Sequence, residues 1–262
     1  MTRRMFRPTF VSFFCCIAFV PITTGQTIWY VDAAHCPGPG SGTPADPFCT
    51  IQIAINAAAP SATPPDEIVV ADGVYSGAGN KNLDFHGKAI TVRSASGDPA
   101  TCIIDCENEG RGFYFHSNET AASIVMGLTI RYGRMTPYTP GSLGGGGVCC
   151  ESSSPTISHC IISHSGAGTR LGGGVFCISG SSPTLTGCSI EMNDAACGGG
   201  VYCTNLSAPT LTDCTINGNT AISGITCTGG GGICCVSSSS ATLTNCTINE
   251  NNGLCGGGVS CE

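Results

Sequence analysis

Beyond Arg170 this chain has no lysine, arginine or histidine, and over its whole length only 10% of residues are charged. Gripping phosphate backbones or anionic lipid takes a basic patch, so nucleic acid and acidic membrane surfaces are excluded as partners. Helical periodicity is missing from most of the sequence. No Cys-x-x-Cys pair or Cys/His spacing suggests zinc. No Lys-Ser or Lys-Thr follows a glycine run, which removes a phosphate-cradling loop, and the runs lack the Asp that calcium-binding glycine repeats require. No cofactor is expected. After Val20 nothing is long and apolar enough to span a bilayer, so no transmembrane span is expected.

Glycine (38) and cysteine (20) are abundant instead, and in the second half they recur with a period. The cleanest copy is Gly198-Gly199-Gly200-Val201-Tyr202-Cys203, then Pro209-Thr210-Leu211-Thr212-Asp213-Cys214-Thr215-Ile216 and Asn219. The aliphatic residue recurs at Val148, Val175, Val201, Ile233 and Val259, in steps of 27, 26, 32 and 26. A fixed period of this size means stacked supersecondary units. Within a unit, short β-rich pieces are separated by Gly, Ser, Pro and Asn. Alternation puts Val201, Cys203, Leu211, Cys214 and Ile216 inward and Tyr202, Thr210, Thr212 and Thr215 outward. One such coil cannot bury its apolar side alone, but a stack can, through parallel ladders ~4.8 Å apart. The expectation is an all-β parallel β-helix of about eight coils with a ~26-residue repeat.

Each conspicuous residue then has a position in the stack. The glycine runs suit a corner with positive φ and close approach between coils. Asn193, Asn219 and Asn251 read as a stacked amide ladder. Cys177, Cys203 and Cys235, and Cys188, Cys214 and Cys246, read as inward columns of small hydrophobes. Cys36/Cys49, Cys102/Cys106 and the corner residues Cys197, Cys227 and Cys255 are expected to be bridged, with the pairing left open.

In chain order, residues 1–25 read as a signal peptide, with Arg3, Arg4 and Arg7 before an apolar core. Its removal takes three of ten basic residues and none of seventeen acidic ones, leaving a net charge near −10. Residues 26–66 hold a first strand (Ile28–Val31), a Pro/Gly loop and a capping helix that Thr50 begins, with Ile51, Ala54, Ile55 and Ala58 as its apolar stripe. Such a helix would shield the exposed edge of the first coil. Residues 67–147 are degenerate coils with an excursion at 133–143, and residues 148–262 are the regular repeats. The chain stops inside the opening strand of another coil, which reads as C-terminal truncation.

Ile28-Trp29-Tyr30-Val31-Asp32, Asp66-Glu67-Ile68-Val69-Val70-Ala71-Asp72-Gly73-Val74-Tyr75 and Gly87-Lys88-Ala89-Ile90-Thr91-Val92-Arg93-Ser94 resemble the N-terminal part of secreted bacterial right-handed β-helix proteins of the pectin-lyase-like superfamily. The Gly-Gly-Gly-Val plus Asn pattern is similar to the repeats of polymorphic outer-membrane proteins. The resemblance covers nearly all of the chain after residue 25. It implies a secreted, cell-surface or outer-membrane-associated protein whose partners are extracellular polysaccharide or neighbouring surface proteins. It is poor on activity, because one fold hosts lyases, hydrolases and adhesins.

A polysaccharide lyase would need a carboxylate cluster for Ca²⁺ with an Arg or Lys base, and a glycoside hydrolase would need neighbouring carboxylates. The regular coils supply neither, since Glu191, Asp194, Asp213 and Glu250 fall in differing repeat positions. Asp84, Asp105, Glu107, Arg111 and Arg131 are the catalytic candidates, and solvated turn charges are their plainer reading. The reading leans away from an enzyme, toward a structural or adhesive rod that binds glycan. Thr184, Thr186, Thr210, Thr212, Thr242 and Thr244 form its surface-binding array. Flat Thr-x-Thr arrays also resemble ice-binding β-helices, a minor alternative.

Overall fold

The computed structural model describes residues 25–60, 62–134, 144–168, 170–222, 229–254 and 256–262, which wind into a parallel β-helix with three sheet faces. The first sheet has eight strands in order: Ile28–Val31, Glu67–Val70, Thr91–Ser94, Ile124–Met126, Thr156–Ser158, Thr184–Thr186, Thr210–Thr212 and Thr242–Thr244. The second has seven, from Gly73–Tyr75 to Thr247–Asn249, and the third has six, from Phe113–Phe115 to Val259–Cys261. Every pairing between these strands is parallel and moves one turn along the stack. The all-β parallel β-helix and its short N-terminal helix are as expected. The coil count is corrected: six turns carry strand on all three faces. The first turns are incomplete, because Leu83-Asp84-Phe85 forms a single bridge, Leu83 to Phe113, in place of a strand.

Register follows the repeat. Val148, Val175, Val201, Ile233 and Val259 are successive partners, and the 32-residue step keeps the same register as the 26-residue ones. The core is a set of columns, such as Val92, Val125, Ile157, Leu185 and Leu211, all buried. Near the first complete turns it is aromatic: the ring of Phe85 meets Phe113 and Phe115 edge-on at 6.1 and 5.0 Å.

Cys150, Cys177, Cys203 and Cys235 form one buried thiol column, and Cys160, Cys188 and Cys214 another. Neighbouring thiols and burial hold Cys177 and Cys203 protonated far above the ordinary thiol range. Beside them runs the amide ladder: Asn193 Nδ2 donates to Asn219 Oδ1 at 3.0 Å, and Asn219 Nδ2 to Asn251 Oδ1 at 2.9 Å. Each amide also satisfies backbone, Asn219 by donating to Ile190 O and accepting from Asn193 N. At the third corner, a Cβ on Gly147, Gly174, Gly200 or Gly232 would stand 2.6–2.7 Å from the carbonyl oxygen of a glycine one turn on. Gly145, Gly172 and Gly198 take φ of 82, 64 and 61°. Only glycine meets both demands without strain.

Several expectations change. Tyr202 points away from the core yet is buried, in a second apolar cluster with Cys149, Phe176, Ala196, Cys197 and Cys234. The glycine corner and residues 196–197 fold back over this outward column, so alternation alone misassigns it to solvent. Cys102 and Cys106 are buried free thiols, not a bridge. Four extended residues separate Cα atoms by ~13 Å, beyond a disulfide's reach. Cys36 and Cys49 are bridged, and Cys197 is in a disulfide. The helix spans Ile51–Ala57, and the Thr50 side chain makes no capping bond; Asn80 Oδ1 accepts from Ile51 N instead. Lys88 Nζ closes the other end on the carbonyls of Ile55, Asn56 and Ala58. Residues 1–24 of the expected signal peptide, Cys227, Cys255 and most of the expected excursion lie outside the described residues.

Candidate functional site

Outward positions of the first sheet are set by strand alternation and exact register. With Ile157, Leu185 and Leu211 buried, the flanking residues face out, pairing Thr184 with Thr210 and Thr242, and Thr186 with Thr212 and Thr244. Thr156 and Ser158 precede them in the same columns. The result is a flat two-column array with a rung every ~4.8 Å. Among the described residues, none of the six threonine hydroxyls has a hydrogen-bond partner, whereas Thr156 Oγ1 donates to Ala121 O. The array therefore presents regularly spaced hydroxyls that can both donate and accept.

The five charged candidates are not brought together. Arg131 pairs with Asp105 on the second sheet at 2.9 Å. Glu107 accepts from Lys81 at 2.9 Å, and that bond holds its carboxyl below the usual range. Asp84 and Arg111 do share a neighbourhood, at the start of the third sheet. Asp84 Oδ2 lies 2.9 Å from His86 Nδ1 and 3.0 Å from His116 Nε2. The His116 ring stacks on Tyr114 at 4.1 Å, and the Arg111 guanidinium lies 4.7 Å from the same Tyr114 ring. Tyr114 donates to Glu151 Oε2 at 2.7 Å; burial and this carboxylate raise its phenol pKa. Arg111 also donates to Gly144 O, which anchors it to the next turn.

This cluster was missed in the sequence reading, which took Asp84 and Arg111 without His86, Tyr114, His116 and Glu151. A signal was present: Asp84-Phe85-His86 and Tyr114-Phe115-His116 are matching triplets 30 residues apart, one turn of a degenerate coil. Chemically the cluster is an imidazole–carboxylate relay on an open face. Among the described residues no group of three or more His, Cys, Asp or Glu is placed to hold a metal ion. The cysteine and asparagine ladders are interior and bind one turn to the next.

Three solved structures are similar to this chain. A pectate lyase, Pel9A, superposes with a TM-score of 0.52 at 14% identity, covering 86% of this chain and 56% of that one. A pectin methylesterase from carrot gives 0.49 at 14%, covering 84% and 65%. The pectin methylesterase PemA from Erwinia chrysanthemi gives 0.41 at 12%, covering 82% and 71%. This chain thus spans little more than half the length of the lyase, and at such identities the likeness is one of fold. No curated protein matches the sequence at a significant level. Residues 76–262 match the family described as right handed beta helix region, and the chain belongs to that family.

Proposed function

We propose that this chain is an extracellular β-helix protein that holds a polysaccharide along the outward face of its first sheet without cleaving it. The observation that supports this is the threonine array: six unengaged hydroxyls on three consecutive turns, in strict register. Repeating hydroxyls suit a repeating polymer, since many weak contacts add through multivalency. The acidic balance of the chain turns away nucleic acid. A glycan array on the oxidised protein, with and without Ca²⁺, tests the reading. Replacing Thr184, Thr210 and Thr242 with Val removes three hydrogen bonds and is expected to cost at least about tenfold in affinity. Undiminished binding by that variant would sink the proposal, and shaping of ice crystals by the parent alone would move it to the ice surface.

One observation favours a second reading, catalysis at the third sheet: the Asp84 carboxylate between two imidazoles. Imidazole and carboxylate within hydrogen-bond reach are the groups that general acid–base catalysis uses. Unsaturated or reducing-end products that disappear in Asp84→Asn and His116→Gln would establish it. Their absence with every polysaccharide tried would leave binding alone.

A further inference from the structure

The first sheet carries a second feature at its other end. A pocket of about 180 Å³ opens on the first three strands. Its floor is Tyr30, Val69 and Ala95, its walls are Pro44 and Pro47, and Asp32 stands at its rim. These residues face outward, because Val31, Ile68 and Val70 between them enter the core. Val69 lies outside the core cluster and is still buried, so it is the neighbouring loop that covers it.

The loop is fixed in place. Cys36 and Cys49 bridge its ends, Phe48 N donates to Tyr30 O at 2.8 Å, and Asp32 N donates to Phe48 O at 2.9 Å. Tyr30 N donates to Gly42 O at 3.0 Å, and the Phe48 ring stacks on Trp29 at 5.6 Å. The pocket is therefore preformed, as ligand sites usually are. It is smaller than the ~300–1,000 Å³ that drug-sized ligands occupy, which limits an occupant to one small ring.

Chemistry selects the ring. Proline rings, a phenol and aliphatic methyls make an apolar bed for the C–H face of a sugar. Asp32 Oδ1 accepts from Ala34 N at 2.8 Å, and no described group donates to Oδ2, which can accept from a sugar hydroxyl. No Lys, Arg or His lines the pocket. The cation nearest the floor, Arg93 beside Val69, is paired with Glu67, so a uronate would meet the Asp32 carboxylate with no unpaired cation to offset it, and the fit is to a neutral sugar.

The hydroxyl array begins three strands further along the same face, about 14 Å away at the interstrand spacing. The loop closes the opposite side. We propose that the pocket is a chain-end subsite for a neutral pyranose, so that this face takes a polysaccharide by its terminus. The proposal rests on the polysaccharide reading of the array and deepens it.

The chain has one tryptophan, and Trp29 stacks on Phe48 of the loop that forms the wall, so binding is followed by its fluorescence and, in parallel, by isothermal titration calorimetry. The full chain, oxidised, is titrated with methyl glycosides of glucose, galactose, mannose and xylose, and with galacturonate. A saturable change with at least one neutral glycoside and none with galacturonate is expected. Ala95→Phe should remove that response and lower polysaccharide affinity about tenfold, with far-UV circular dichroism unchanged. If that variant misfolds, Val69→Leu and Asp32→Asn provide the same test at lower bulk. Galacturonate binding as well as the neutral glycosides, or no glycoside response at all, overturns the proposal. The valine substitutions at Thr184, Thr210 and Thr242 separate the two readings. Loss of polymer affinity there with Ala95→Phe silent leaves the array without the pocket. A glycoside response with those valines silent on polymer leaves the pocket without the array.

Discussion

Asn219 shows what a single residue carries here. Its fully buried amide accepts from Asn193 N and Nδ2 and donates to Ile190 O and Asn251 Oδ1, so it links three turns. Asn219→Ala leaves the buried Asn193 N–H without its acceptor, a cost of about 1–3 kcal/mol. Hydrogen exchange at the Asn193 amide should accelerate accordingly, while exchange near Ile28 stays unchanged, because repeat stabilities are local. The thiols predict a pH limit. Burial raises Cys102, Cys106 and Cys149 from an ordinary 9.0 to about 12. The folded state therefore favours the protonated thiol. That contribution is whole below pH 9 and is lost as pH rises through 12, so the thermal midpoint should be flat to about pH 9 and fall beyond it. A stable midpoint at pH 11 would show that these thiols do not govern the alkaline limit. Titration with a thiol reagent at pH 8 should leave the buried columns unmodified until the chain is unfolded.

At the scale of elements, the glycine corner and the disulfide loop behave differently. A methyl on Gly200 would stand 2.6 Å from Gly232 O, so Gly200→Ala forces two turns apart at a cost of about 2–3 kcal/mol. Gly180 has open space around its Cβ position and φ of 74°, so Gly180→Ala costs only the left-handed penalty, about 1–2 kcal/mol. Equal melting temperatures for the two variants would contradict this account of the corner. Reducing Cys36–Cys49 frees a loop with its ends 13 residues apart and should weaken the N-terminal end by about 2–4 kcal/mol. Trp29 emission would report it first. The elements best read from sequence are those that repeat, since Val201, Leu211 and Ile216 each recur at the same depth in neighbouring turns. Elements without that reinforcement were harder. Leu83-Asp84-Phe85 has strand alternation but only one bridge, and Cys102/Cys106 was paired by proximity in sequence although both residues share an inward parity. The Asp84–His116 contact was hidden because its turn is 30 residues long, outside the regular period.

As a whole, the molecule is a rod with unlike faces: hydroxyls along the first sheet, an imidazole–carboxylate cluster beginning the third, and no basic residue beyond Arg170. A face that binds neutral polymer through hydroxyls and apolar contacts should be nearly indifferent to ionic strength. Affinity should change less than about twofold between 50 and 500 mM salt, unlike the steep dependence of phosphate binders; a tenfold fall would point to charge. The tolerance of the ladder to a 32-residue step as well as 26-residue ones has a further consequence at the level of the gene. A DNA segment encoding one turn can be duplicated or deleted by unequal crossing-over, and each product still stacks glycine on glycine and asparagine on asparagine. Rod length is then a character that recombination can vary in whole steps, giving sister lineages longer or shorter versions of one surface without any new contact having to evolve.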